Sequence, residues 1–584
     1  MGCGQSTSAS PVVAEQNGQI SEESASKKVY DDRITLPNNQ KFRITVSPAS
    51  TVIDDEGAAR ARSAGVNPQD DCQQRPKTGE EGEFEQPEAE FDGGNLGLNN
   101  VEEVPRLLDS LPEGQLYEDA EFPAEDSSLY FSSRSTGDEV VWKRPHELAE
   151  NAQLFVEGVS RRDVVQGVLG DCWFLSSCCA IAKEAKLIER VVPPNQPLSG
   201  DGYHGCVRFS FWRFGDWVDV YIDDRLPTKN GALFNAKCVD PNEFWVALLE
   251  KAYAKLHGSY EALEGGQAMD ALVDLTGGLA ERFDLAEHDQ SYLFRHLYKS
   301  TVAGAFITCS RKGDWREANK ADELGLVQGH AYTVTGLARP QHQTLGRPRL
   351  VRIRNPWADH VEWNGAWSDS DERWSGVDEV TRGRLGVTSL ADGEFWMEFS
   401  DFCAQFEEAS VCTLGPDYDN DGRVDHVGQV QQIRGEWVPG KNAGGSRNNF
   451  EKFATNPQYL LTVVDPTPDE TDDDDSDKVP VLVTLMQEYR RSQRQFGIKM
   501  AQIGFLVYKV DNPIQRVPQK HFMYHYEDAS SGTYINYREV AARLELKPGH
   551  YVVIPATFAP ETPGHFMLRV FSAGNFTLKQ LPDA

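Results

Sequence analysis

Long apolar runs are missing from this 584-residue chain. The best of them, VPVLVTLM at 479–486, has the length of a strand and falls short of the ~18 residues that a membrane-spanning helix needs. Nothing in the sequence is expected to cross a bilayer. Cysteine is scarce as well: ten over the whole chain exclude a disulfide scaffold. No charged, apolar, small-residue signal segment opens the sequence, so a reducing, intracellular compartment is expected. Basic residues are few, 58 against 90 acidic ones, for a formal charge of −32. Such a surface repels a phosphate backbone, which excludes wholesale nucleic-acid binding, and it suits multivalent cations. Aromatics are plentiful. With 12 Trp, 19 Tyr and 28 Phe and 39% apolar residues, the chain has core-formers for roughly three or four globular domains.

One end departs from that composition. Met-Gly-Cys-Gly-Gln-Ser places Gly2 behind a removable Met1 and Ser6 at the favoured position for N-myristoylation, with Cys3 beside it as a palmitoylation candidate. Both chains are needed, because one myristoyl group holds a protein only marginally. From there to about residue 115 the chain is polar, poor in aromatics and aperiodic, and reads as a disordered arm. Its stretch 78–104 carries nine carboxylates and no Lys or Arg, a self-repelling spacer. Aromatics return over 116–131. The centre mixes helical stretches at 172–185 and 242–258 with strands at 203–212, 216–223, 331–338 and 349–355, which is α+β character. The second helix ends on Gly258 with Lys251 and Lys255 in its later turns. After about residue 414, strand-length runs near 459–464, 480–486, 503–510, 551–555 and 565–571 alternate with Pro, Gly and Asp turns and read as an antiparallel sandwich.

One cysteine stands apart. In QGVLGDCWFLSS, Cys172 follows a Gly-rich turn and opens an apolar helix, where unpaired N–H groups and the helix dipole favour a thiolate. Cys178 and Cys179 further on look like packing residues. A nucleophilic thiol needs a base, and His330 in GHAYTVTG lies behind a Gly at the start of a strand. The base needs an orienter, and Asn355 ends the strand VRIRN just before Pro356, placed to fix an imidazole in a Cys-His-Asn arrangement. Gln166 is a candidate oxyanion donor together with the Cys172 amide. Each residue alone also has an ordinary reading, as core cysteine or satisfied histidine.

QGVLGDCWFLSS, GHAYTVTG, RIRNPWADHVEWNGAWSD, DGEFWMEFSDF and NEFWVALLEKAYAKLHGSYEALEGG together resemble the cysteine-protease core of the calpains, over roughly 116–580. The resemblance implies a papain-like core of two subdomains, 116–280 and 281–413, an acidic linker at 414–429 and a calpain-type β-sandwich at 430–584, behind the arm of residues 1–115. It implies a calcium-activated thiol endopeptidase carrying out limited proteolysis of protein substrates, with Cys172 as nucleophile, His330 as acid/base, Asn355 as orienter and Gln166 at the oxyanion. Trp357 matches the family's tryptophan beside the active site, a shield or wedge. Two alternatives, a transglutaminase and a catalytically silent membrane scaffold, fit less well: the first has Asp where Asn355 stands, and the second would have lost part of the triad.

By the same resemblance, one calcium ion would be held by the carbonyls of Val156 and Gly158 with the carboxylates of Asp163 and Glu243. A second would be held by Glu362, Asp369, Asp392 and Glu394 with the Leu390 carbonyl. DYDNDGRVDHVG from Asp417 imitates an EF-hand loop but ends on Gly428 where a bidentate Glu is required, so it reads as a linker. No penta-EF-hand segment follows the sandwich in this sequence, and recruitment of a small regulatory subunit is not expected. The run PDETDDDDSD from Pro468 to Asp477 reads as a calcium-responsive latch or as a membrane-facing loop of the sandwich bridged to anionic lipid by calcium, and equally as a solvated hairpin tip. The expected location is cytoplasmic, with a membrane-associated fraction brought by acylation.

Overall fold

The computed structural model describes residues 103–582 except 113, 133–139, 312, 315, 317–319, 359–361, 388–391, 416–427, 465–477, 490 and 512–514. Gly2, Cys3, the acidic spacer up to residue 102, Leu390, the EF-hand-like loop up to residue 427 and the Pro468–Asp477 run therefore lie outside the described residues. Among the described residues no helix is long and apolar enough to cross a membrane.

One helix falls where the composition does not indicate it. Glu103–Ser110 is helical, inside the stretch read as arm, because Val104 and Leu108 lie four residues apart on one face and Val104 is buried. The longer helices of the core are α1 (Cys172–Ile181), α2 (Trp245–His257), α3 (Ala268–Thr276) and α4 (Gln290–Val302). Every residue of α1 is buried, which is why its sequence shows no polar stripe: it runs through the middle of the core, against α3 on one side and a sheet on the other. α2 closes on Gly258 at φ +99°. Its lysines do more than favour the helix C-terminus. Lys251 is wholly buried and donates to the Asp223 side chain and carbonyl, each at 2.8 Å, and to the Arg225 carbonyl at 2.7 Å. Lys255 reaches Asp119 at 2.7 Å.

The strands of the core are β1 (Cys206–Arg213), β2 (Asp216–Asp223), β3 (Leu279–Asp284), β4 (Phe306–Ser310), β5 (Ala331–Ala338), β6 (Leu350–Arg354), β7 (Glu394–Glu398) and β8 (Glu408–Thr413). β1 and β2 pair as a hairpin beside the helices. The other six form one antiparallel sheet in the order β7-β6-β5-β4-β8-β3. Thr333 lies opposite Arg354, so the start of β5 and the end of β6 share one edge of the sheet. The helical half is stitched to this sheet by Thr333, whose hydroxyl donates to the Ser176 carbonyl of α1 at 2.6 Å.

Beyond residue 428 come β9 (Gln429–Trp437), β10 (Tyr459–Val463), β11 (Val479–Gln487), β12 (Ile503–Val510), β13 (Ala529–Ser530), β14 (Glu539–Leu546), β15 (Gly549–Thr557), β16 (Gly564–Ser572) and β17 (Phe576–Gln580). They form two antiparallel sheets, β9-β16-β11-β14 and β13-β12-β15-β10-β17. Alternate residues such as Val481, Val483, Leu461, Val553 and Leu568 face inward to a shared core. The sandwich meets the protease core through arginines. Arg538 and Arg213 both grip Asp274, Arg543 pairs with Glu281, and Arg491 donates to the Ala262 carbonyl at 2.7 Å and to that of Gly265.

Candidate active site

The turn before α1 is built by close backbone approach. A Cβ on Gly167 would run into the carbonyls of Phe234 and Asn235, and the Val168 amide donates to Phe234 at 2.9 Å. This turn delivers Cys172 to the first position of α1, 6% exposed, with its sulfur against the Ala331 amide, the residue after His330.

The shared sheet edge brings His330 and Asn355 together, 25 residues apart in sequence. His330 Nε2 lies 2.8 Å from Asn355 Oδ1, and the same oxygen accepts the Trp357 amide at 3.1 Å. An amide N–H only donates, so the atom facing both groups is the oxygen. His330 therefore donates from Nε2 and keeps Nδ1 as its basic nitrogen. The Trp357 ring lies 5.1 Å from the imidazole, tilted at 50°, and Tyr332 meets it edge-on at 4.9 Å. Enclosed in this way, the imidazole is pushed down to about 4 by burial, against the Asn355 bond.

The thiol departs from the sequence expectation. A helix N-terminus favours a thiolate, but burial pushes Cys172 up to about 12, with the neighbouring Asp171 carboxyl adding to the rise and the Ala331 amide opposing it. Among the described residues no hydrogen bond joins the Cys172 thiol to the His330 ring, and burial favours the neutral form of each. Gln166 is likewise turned aside: its Nε2 donates to the Leu169 carbonyl of its own turn at 2.9 Å, and its Oε1 is buried without a donor. Its backbone amide crosses to the other subdomain and donates to the Pro356 carbonyl at 2.9 Å.

The residues assigned to a first calcium ion lie on adjoining loops. Glu243 accepts the Val156 amide at 3.0 Å, Asp163 accepts that of Ser160 at 2.6 Å, and the Asp163 carbonyl takes the Val239 amide at 3.0 Å. Glu157 and Gly158 both have positive φ, +56° and +101°, which turns this loop sharply. Those assigned to a second ion also converge. Glu362 accepts the Gly393 amide at 2.7 Å, and Asp369 is raised to about 8 by burial and by the carboxylates of Glu362, Asp392 and Glu394. Yet among the described residues no three His, Cys, Asp or Glu side chains are grouped closely enough to hold an ion. Two of the acids are engaged by arginines: Glu394 pairs with Arg161 at 3.0 Å and Arg352 at 3.4 Å, and Asp392 with Arg162 at 3.6 Å. The residue types nonetheless fit. They are hard oxygen donors, and the repulsion around Asp369 is what a divalent cation relieves.

Several participants carry no local sequence signal. Arg161 and Arg162 cross from one subdomain to the carboxylates of the other, and Arg354, 1% exposed, donates to the carbonyls of Asp392 and Arg162 at 3.0 and 3.3 Å. The available hint was basic residues inside the apolar strand RLVRIRN. The turn at Gly393, φ +81°, lies against Asn355 and Ala358, and the Gly393 carbonyl accepts the Asn355 amide at 2.8 Å. The acidic loop thus touches the segment carrying Asn355 and Trp357.

Comparison with known proteins agrees with this arrangement. Residues 117–413 match the calpain family cysteine protease profile, and residues 433–571 match that of the calpain large subunit, domain III. Calpain-A of Drosophila melanogaster is 42% identical over 497 residues, 83% of this chain and 59% of the relative. Calpain-B of the same organism is 42% identical over 489 residues, 82% of this chain and 52% of the relative. Calpain-9 of Mus musculus is 43% identical over 474 residues, 81% of this chain and 67% of the relative. The chain spans between about half and two thirds of the length of these relatives. On these grounds the chain belongs to the calpain family of cysteine proteases.

Proposed function

We propose that the protein is a calcium-activated cysteine endopeptidase performing limited proteolysis of protein substrates through Cys172, His330 and Asn355. The observation that carries this reading is the His330 Nε2 bond to Asn355 at 2.8 Å, made beside the Cys172 thiol at the head of a buried helix. In the reaction the thiol proton passes to His330 Nδ1 and the sulfur attacks the scissile carbonyl. The Cys172 amide and a Gln166 side chain swung away from Leu169 donate to the oxyanion. His330 then protonates the leaving amine, and water on the same path releases the acyl group. Asn355 holds the ring in register throughout, and Trp357 shields that bond from water.

Two changes separate the described geometry from this reaction: formation of the Cys172–His330 hydrogen bond and release of the Gln166 amide. Bound calcium would supply neutralisation of the crowded carboxylates, an electrostatic role separate from Lewis-acid chemistry. The backbone links from Gly393 to Asn355 and from Gln166 to Pro356 are the route by which the acidic loops act on the site. Cleavage of a casein-type substrate over a calcium titration tests the reading: wild type turns on over a narrow range and Cys172→Ser stays silent. Equal cleavage in chelator and calcium would falsify the switch. Acylation at Gly2 and Cys3 is the accompanying proposal for membrane attachment; membrane fractionation of Gly2→Ala against wild type decides it, and identical distributions reject it.

A further inference from the structure

Asp171 stands at the N-cap of α1, its carbonyl accepting from Phe174 at 2.8 Å and Leu175 at 3.1 Å. Its side chain caps nothing: both carboxylate oxygens are turned inward, in a residue 0% exposed, and neither has a hydrogen-bond partner. They face Glu250 of α2, itself buried, whose two oxygens take the Ala236 amide at 3.1 and 3.2 Å. Two carboxyls in one closed pocket do not both ionise, and one proton between them provides the hydrogen bond that Asp171 otherwise lacks.

The other titratable groups around the pair are Tyr260, with its buried hydroxyl, and Cys172 and Cys178 of α1, with Asp223 beyond Tyr260. None of these is a cation, so nothing among them offsets the charge of the pair. Burial lifts Asp171 to about 7 and Glu250 well above the usual carboxylate range.

We propose that Asp171 is a positioning residue for the nucleophile: it shares one proton with Glu250 across the α1–α2 contact, the proton staying with Glu250, and the charge left on Asp171 sets the pH range over which Cys172 becomes a thiolate. This rests on Cys172 being the nucleophile. The test is the pH profile of Cys172 alkylation by iodoacetamide, read by mass spectrometry on the full chain in calcium. D171N and D171S, two neutral replacements, are expected to move the midpoint down by ~0.5–1 pH unit. E250Q is expected to leave it in place, because Asp171 keeps its charge. Unmoved midpoints in the 171 variants, or an equal shift in E250Q, overturn the proposal. Cleavage surviving in Cys172→Ala removes instead the reading on which it rests. Should neither 171 variant fold, infrared spectroscopy reads the shared proton directly. A protonated-carboxyl band persisting at neutral pH in wild type and lost in E250Q supports the pair, and its absence from wild type overturns it.

Discussion

At His330 two demands oppose each other. Catalysis needs a base, while burial keeps the ring neutral and hard to protonate, at about 4 against an ordinary 6.5. Unfolding exposes the ring, so as pH falls from about 6.5 towards 4 the unfolded chain binds a proton that the folded chain refuses, and stability is lost across that window. The full shift is worth on the order of 3 kcal/mol. Urea unfolding in chelator, compared between neutral and mildly acidic pH, should therefore show a smaller loss for His330→Gln than for wild type; identical losses would count against a buried neutral imidazole. Asn355→Ala leaves the Nε2 donor buried and unpaired and frees the ring to turn, so kcat should fall by about 10²-fold or more, at a stability cost of about 1–3 kcal/mol. Cleavage kinetics within threefold of wild type would contradict the orienting role. The placement of Cys172, His330 and Asn355 was legible in part from local signals, a Gly-rich turn, a Gly before a strand and a strand end before Pro356, which only the family resemblance joined into one site. The protonation states were not legible, since they depend on what closes over each group.

Among the elements, the loops that face each other across the two halves of the core were only half visible. The acids of those loops announce themselves in DGE and VEWNGAWSD, but their arginine partners do not, because Arg161 and Glu394 are 233 residues apart and no periodicity links them. Glu394 is held down to about 2 by Arg352 and Arg161 despite its burial. Removing one of the two guanidinium groups leaves a buried carboxylate half-compensated, so Arg161→Ala in chelator should lose about 1–3 kcal/mol by urea unfolding; an unchanged midpoint would show that the pair does not join the subdomains. The Trp357 segment is strained as well: Ala358 adopts φ +53°, where a Cβ is disfavoured. Ala358→Gly should stabilise the chain by about 0.5–1 kcal/mol if relief of this strain exceeds the added freedom of the unfolded chain. A net loss would mean that the methyl group packs usefully beside Gly393. Helix α1 shows the opposite limit of legibility. Its existence was clear from an apolar run, but its end four residues before 185 was not, since burial on all sides leaves no polar face to mark a boundary.

In the whole molecule the net charge of −32 coexists with a sandwich that offers arginines to the protease core, at Arg491, Arg538, Arg543 and Arg569. The order of core then sandwich was readable from the change in period near residue 414; this interface was not, because isolated arginines look like solvated positions until the protease core is placed against them. Arg538 is buried with Asp274 at 2.8 Å, and Arg213 shares that carboxylate at 3.0 Å. Arg538→Ala should cost about 2–4 kcal/mol and lower the thermal midpoint of the whole chain; a midpoint unchanged by calorimetry would mean that sandwich and core stand independently. Arg491 lies 4.7 Å over the Trp173 ring, which places the sandwich one residue from the nucleophile. Cys172 and His330, not hydrogen-bonded to each other and both favoured in the neutral form by burial, are proposed to become a reactive pair when calcium binds. The most direct test is the rate at which iodoacetamide alkylates Cys172 at neutral pH, in chelator and then in calcium. Slow labelling in chelator and a rise of at least about tenfold in calcium that His330→Ala abolishes are expected; equal rates in the two conditions would contradict calcium activation of the pair.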